Sequence, residues 1–156
     1  MILVTGATGF VGGALVKRLA ADRASKGAVA AVRRNADSRS QGGRQVQVGD
    51  LLPTTDWGLA LQGIHAVVHC AARVHVMQDD ATYPLQAYRE VNVNGTLNLA
   101  RQAAQVGVGR FVFVSSIKVN GEASLSGQPF AAQERRAGCH RYCLPLLRSE
   151  RVGDLL

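Results

Sequence analysis

The chain has no run approaching the ~20 consecutive apolar residues of a membrane-spanning helix, so no insertion into a bilayer is expected. It opens Met-Ile-Leu-Val-Thr-Gly with neither a basic leader nor a separate apolar stretch behind one, which predicts a cytoplasmic protein. Proline is scarce, with four residues, and no low-complexity tract interrupts the chain, so neither a disordered nor a collagen-like class fits. Cysteine is scarcer still. Cys70, Cys139 and Cys143 are an odd number without a secretion signal, which argues for reduced thiols and against a disulfide framework. Aromatic residues are 5% of the chain and do not interleave with its basic residues. That absence decides how the charge is read: 18 basic against 11 acidic side chains give +7, yet the arginines stand singly or in pairs and form no stripe. They read as a solvated surface, and no nucleic-acid partner is expected. A paired ligand set at zinc spacing is also missing, both from His65, His69 and His75 and from Cys139-His140 with Cys143, so no metal is expected.

What is present is an alternation of short apolar runs with helical periods. At 156 residues, 47% hydrophobic and 19% charged, the chain has the length and mix of one globular domain. Residues 1–5 read as a buried parallel strand ended by Gly6. Over residues 10–21, Val11, Ala14, Leu15 and Leu19 recur at helical spacing with Lys17 and Arg18 outside, and Asp22 and Gly27 close the segment. Residues 28–32 and 45–48 are the second and third predicted strands, 56–62 a short helix, and 66–69 a fourth strand running into Ala71 and Ala72. Residues 83–106 form one long helical pattern with Pro84 near its start, and 110–115 are a β-prone fifth strand. Strands alternating with helices predict an α/β fold, a Rossmann-type doubly wound parallel sheet covered on both faces.

Thr5-Gly6-Ala7-Thr8-Gly9-Phe10-Val11-Gly12 spaces three glycines between the first strand and the first helix. Gly6 permits the tight turn, Gly9 lets the backbone approach a pyrophosphate, and Gly12 lets the helix pack close against the strand. The helix N-terminus adds oriented N–H donors and partial positive charge. NAD or NADP is therefore expected along Gly6, Thr8, Gly9, Phe10, Val11 and Gly12. After the second strand stand Arg33 and Arg34, where an NAD-selective site would carry an acid for the ribose hydroxyls. A guanidinium meets a 2′-phosphate, so Arg33 tilts the reading to NADP; the alternative is that both arginines are merely solvated.

This loop resembles that of the extended short-chain dehydrogenase/reductases, the NAD-dependent epimerase/dehydratase group, and four further motifs follow in order. Gly49-Asp50-Leu51 is similar to the family's acidic residue after the third strand, which implies that Asp50, with Leu51 beside it, meets the adenine amino group. His69-Cys70-Ala71-Ala72 is similar to its small-residue turn, which implies Cys70, Ala71 and Ala72 beside the pyrophosphate and ribose. Asn92-Val93-Asn94-Gly95-Thr96 resembles its helix motif and adds Asn92 to the cofactor set. Phe113-Val114-Ser115-Ser116, continuing to Gly121, resembles its fifth-strand serine motif, and together with His75-Val76-Met77 is most similar to nucleotide-sugar 4-epimerases and 4-keto-reductases.

The resemblance implies that Ser116 hydrogen-bonds the sugar hydroxyl that becomes a ketone, a task suited to a hydroxyl at the carboxyl end of a strand. It also implies a general base at Tyr142, 26 residues after Ser116. In the family this tyrosine has a lysine four residues on, whose charge lowers the phenol pKa. Here that position is Leu146, no lysine follows Lys118, and Pro145 disfavours helix at Leu144. Beyond Gly121 the pattern fails, and residues 135–156 hold five arginines, two cysteines, Gly138 and Pro145 without a helical period.

The expectation is an NAD(P)-binding Rossmann domain over residues 1–130, incomplete relative to the family and truncated after the fifth strand, with an atypical tail over 131–156 that is frameshifted or disordered. Its expected chemistry is that of a nucleotide-sugar epimerase/dehydratase-like oxidoreductase with catalysis impaired at Tyr142, acting on a nucleotide sugar and assembling as a homodimer. The alternative is a non-catalytic dinucleotide-binding module or redox sensor on the same fold.

Overall fold

The computed structural model describes residues 1–22, 27–34, 44–73, 84–116 and 126–129. Five strands, β1 (Ile2–Thr5), β2 (Ala28–Val32), β3 (Arg44–Gln47), β4 (Ala66–His69) and β5 (Arg110–Phe113), form one parallel sheet in the order β3-β2-β1-β4-β5. The chain moves outward from β1 to β3 and then returns to place β4 on the other side of β1. This reversal opens a crevice at the carboxyl ends of β1 and β4, where doubly wound sheets bind ligands. The register pairs Thr5 with His69 and His69 with Phe113, so three strands end level there.

Both faces of the sheet are apolar, which is why β1 and β2 are continuous hydrophobic runs. Leu3, Val29, Ala31 and Val67 point to one face, against Trp57, Leu61 and Ile64 around α2 (Gly58–Leu61) and Leu99 and Ala103 of α4 (Thr96–Gln105). Val4, Ala30 and Val32 point to the other, against Val16, Leu15 and Leu19 of α1 (Phe10–Ala21). Among the described residues no helix is long and apolar enough to cross a membrane.

The expected strands and helices are found with shifts of one or two residues at β1, β3, α2 and β5. The larger difference concerns the helix expected over 83–106. It begins at Pro84 as α3 (Pro84–Arg89), passes through a π-helical turn at Glu90–Gly95, and only then continues as α4. A π turn inserts one residue into the helical repeat and rotates everything beyond it. Its reason is tertiary: Asn92, Gly95 and Thr96 all turn inward and are buried. Tyr142, Tyr83, residues 75–77 and the tail from 130 onward lie outside the described residues.

Candidate functional site

The loop between β1 and α1 is built on two close approaches. Gly6 has φ +64°, a left-handed conformation that disfavours side chains, and a Cβ there would lie 2.8 Å from both the Ala71 nitrogen and the Cys70 carbonyl carbon. The turn that follows β4 is therefore seated directly on Gly6. Gly12 lies equally close: a Cβ would come 2.7 Å from the Gly6 carbonyl carbon and 3.1 Å from the Ala7 nitrogen. Gly12 was expected to bring the helix onto the strand, but the backbone it meets is the start of its own loop. Between them Gly9 donates its N–H to the Gly6 carbonyl at 2.9 Å and caps α1 in an extended conformation. No side chain caps α1, and its first turn carries no acid. The N–H groups of that turn are thus left to an outside acceptor. Phe10 is 95% exposed and Val11 half-exposed on the same turn.

The turn after β4 is held by three residues. The Thr5 hydroxyl oxygen accepts from the Cys70 and Ala71 amides, each at 3.2 Å. Asn92 accepts from the Arg73 N–H at 2.7 Å and donates to the Arg73 carbonyl at 3.0 Å. Both ends of the Asn92 amide are committed to this backbone, where the resemblance had implied a residue of the cofactor set. The Arg73 guanidinium lies over the Tyr88 ring, 5.4 Å from its centroid.

His69 closes the arrangement from below. Its Nδ1 is 2.7 Å from the Thr5 hydroxyl and its Nε2 2.9 Å from the Thr96 hydroxyl. Burial pushes its pKa down to about 4, and burial also pushes the Cys70 thiol up.

At the far side of the loop, Arg33 beyond β2 forms an ion pair with Asp50 beyond β3. The segment after Asp50 is anchored to α4. The Asn98 and Gln102 side-chain amides both donate to the Thr55 carbonyl at 2.8 Å, and Gln102 Oε1 accepts the Trp57 backbone N–H at 2.8 Å. Thr55 in turn donates its hydroxyl to the Asp50 carbonyl at 2.5 Å. Gly95 lets the helix touch this segment, since a Cβ there would lie 2.7 Å from the Leu51 carbonyl oxygen.

The carboxyl edge of the sheet thus brings together Gly6, Gly9, Gly12, Cys70 and Ala71, with the Arg33–Asp50 pair on one flank. Ser116 follows β5 on the same edge and is exposed. Among the described residues no group of His, Cys, Asp or Glu side chains is arranged to hold a metal ion. Sequence reasoning passed over Thr5, His69, Thr96 and Gly95. All four stood inside the motifs, Thr5 and His69 at first positions and Gly95 and Thr96 at the last two, and His69 was weighed besides as a metal ligand, but none was given a role in the site.

The sequence profile of the NAD dependent epimerase/dehydratase family matches residues 2–138. A UDP-glucose 4-epimerase of Vibrio cholerae is 51% identical over 138 residues, which are 87% of this chain and 40% of that protein. The solved structure of MoeE5 in complex with UDP-glucuronic acid and NAD superposes with a TM-score of 0.62 at 35% identity, covering 79% of this chain and 39% of the other. A UDP-glucuronic acid 4-epimerase from Bacillus cereus in complex with NAD gives a TM-score of 0.62 at 25% identity, covering 79% and 42%. The chain therefore spans well under half the length of these relatives.

Proposed function

The chain belongs to the NAD-dependent epimerase/dehydratase family, and on that premise we propose that its β1–α1 loop and the turn after β4 bind NAD or NADP for nucleotide-sugar chemistry of the 4-epimerase or 4-keto-reductase type. The observation that carries this reading is the contact of Gly6 with Cys70 and Ala71 beside an uncapped helix N-terminus. Gly6 lets the two backbones pack together here, and no side chain competes for the N–H groups at the start of α1, as pyrophosphate binding requires. When bound, the nicotinamide would accept hydride from a sugar carbon and return it. Everything else falls to this chain. Arg33 offers a guanidinium to the adenosine end and favours a 2′-phosphate there. Asp50 keeps a carboxylate beside it for the adenine amino group. Ser116, after β5, hydrogen-bonds the sugar oxygen in both its hydroxyl and ketone forms.

Tyr142 is the proposed proton acceptor, working at a disadvantage. With Leu146 in place of a lysine, it lacks the cation that favours the phenolate. Loss of such general-base help costs roughly 10²–10⁴-fold in rate. The expected phenotype is dinucleotide binding with strongly reduced turnover, and the absence of the lysine equally favours the reading as a binding module.

One sample decides between these outcomes. NADH and NADPH fluorescence titrations measure binding, and incubation with UDP-hexoses or UDP-N-acetylhexosamines, followed by chromatography, measures turnover. Binding without turnover leaves the module; slow turnover lost in Tyr142→Phe and Ser116→Ala supports the enzyme. Turnover at about one per second, a rate ordinary for enzymes, would overturn the assignment of impaired catalysis.

A further inference from the structure

We infer that His69 is a positioning residue for the dinucleotide cradle: held as the Nε2–H tautomer between Thr96 and Thr5, it orients the Thr5 hydroxyl that fixes the Cys70 and Ala71 amides. The inference rests on the reading of the β1–α1 loop as the dinucleotide site.

Proton accounting assigns the tautomer. The Cys70 and Ala71 N–H groups can only donate, and both reach the Thr5 hydroxyl oxygen at 3.2 Å. A hydroxyl has two lone pairs and one proton, so both lone pairs are taken and the proton is left for His69 Nδ1 at 2.7 Å. Nδ1 must therefore be bare. The ring proton of a neutral imidazole then sits on Nε2 and is donated to the Thr96 hydroxyl at 2.9 Å. A second ring proton has no place, because Nδ1–H would face the Thr5 proton. Burial, which already lowers the His69 pKa to about 4, keeps the ring in the neutral form that this chain of bonds needs.

The ring has little freedom to adopt anything else. It is 1% exposed and lies against Phe111 and Phe113, with centroids 6.0 and 5.9 Å away. Its two hydrogen-bond partners come from β1 and the start of α4, and through the Thr5 hydroxyl the chain of bonds reaches the turn after β4. The output end of the chain is the Cys70–Ala71 peptide against which Gly6 lies, so the position of α4 is transmitted to the loop through two hydroxyls and one imidazole. Thr96→Val removes the acceptor of the Nε2–H and leaves a buried donor unpaired. Only the bond from the Thr5 hydroxyl to Nδ1 then holds the ring, which shifts as its stranded Nε2–H seeks another acceptor and draws the Thr5 hydroxyl out of its fixed orientation. Thr96→Ser keeps the oxygen and should keep the cradle.

The first test needs no variant: a long-range proton–nitrogen NMR spectrum of the chain at pH 7 should show His69 protonated at Nε2 and bare at Nδ1. The second compares NADH titrations, melting temperature and the Cys70 and Ala71 amide resonances in the parent, Thr96→Val and Thr96→Ser. Thr96→Val should bind NADH about tenfold more weakly with both amides shifted, and Thr96→Ser should return to within about twofold of the parent. An Nδ1–H tautomer overturns the inference. So does a Thr96→Val protein that melts lower but keeps the parent's affinity and amide resonances, since a residue serving packing alone would behave that way. A parent that binds neither NADH nor NADPH overturns the dinucleotide reading itself, and the inference falls with it.

Discussion

Arg33 and Asp50 face each other across the carboxyl ends of β2 and β3 as an ion pair. In the sequence they were read separately, one toward a ribose phosphate and the other toward adenine. The parallel register that pairs Val32 with Gln47 carries the chain on either side into contact. The side chains are 67% and 57% exposed, so water screens most of their attraction. The pair orients charge at the edge of the crevice more than it holds the fold.

Arg33→Ala should therefore change unfolding free energy by less than about 1 kcal/mol. It should weaken NADPH binding by about tenfold, because a charge-assisted contact to the 2′-phosphate is lost, and leave NADH affinity nearly unchanged. Parallel titrations with the two dinucleotides and a urea melt check both halves. Equal losses for NADH and NADPH would show that Arg33 does not select the phosphate.

Two glycines of the loop should separate binding from folding. A Cβ at Gly9 meets only the Gly6 carbonyl oxygen, at 3.2 Å, whereas one at Gly12 runs into backbone. Gly9→Val should reduce dinucleotide affinity far more than stability. Gly12→Ala should destabilise the chain by about 1–3 kcal/mol, as overpacking does. Calorimetric titration and thermal melts of the two variants make the comparison, and the opposite ranking would overturn it.

Gly95→Ala tests two opposed effects. In an exposed helix the change gains up to about 1 kcal/mol of helix propensity. Here the new methyl would lie 2.7 Å from the Leu51 carbonyl oxygen and 2.9 Å from Leu51 Cγ, both on a segment tied to α4. Overpacking should win, with a net loss of about 1–2 kcal/mol in a denaturant melt. A stabilised variant would mean that the 51–57 segment yields easily.

Acid should weaken the fold through His69. Its folded pKa of about 4 lies below the ordinary 6.5, so between these values the unfolded chain binds a proton that the folded chain does not. Stability conferred by the neutral ring is present above pH 6.5 and is lost as pH falls toward 4, by on the order of 3 kcal/mol. Urea midpoints at pH 7, 6, 5 and 4 should fall along this course, and His69→Gln should flatten it. An unchanged slope in that variant would assign the acid sensitivity to other groups.

Much of the architecture was legible in the sequence because parallel strands buried on both faces are written as unbroken apolar runs. Leu3 and Val4 needed no further context to be placed inside, nor did the glycines between β1 and α1 to be read as a tight turn. Local rules also located the helix at Phe10–Ala21, although its buried face carries Gly12 and Val16, with Leu15 and Leu19 partly covered, and leaves Val11 and Ala14 of the expected stripe exposed.

The π-helical turn at Glu90–Gly95 could not be read that way. Its residues satisfy an ordinary helical period, and the extra residue in the turn serves contacts with Arg73, Leu51 and His69 that lie far away in the chain. The same holds for the chemistry of His69. Sequence supplied a histidine at the end of a strand, which is equally a ligand, a base or a buried spacer. Which ring nitrogen carries the proton was decided by hydroxyls on β1 and α4 and by amides after β4. Backbone conformation and burial pattern follow from neighbours in sequence, through sterics and hydrophobic periodicity. A proton's location follows from neighbours in space, and those exist only once the sheet has closed around the ring.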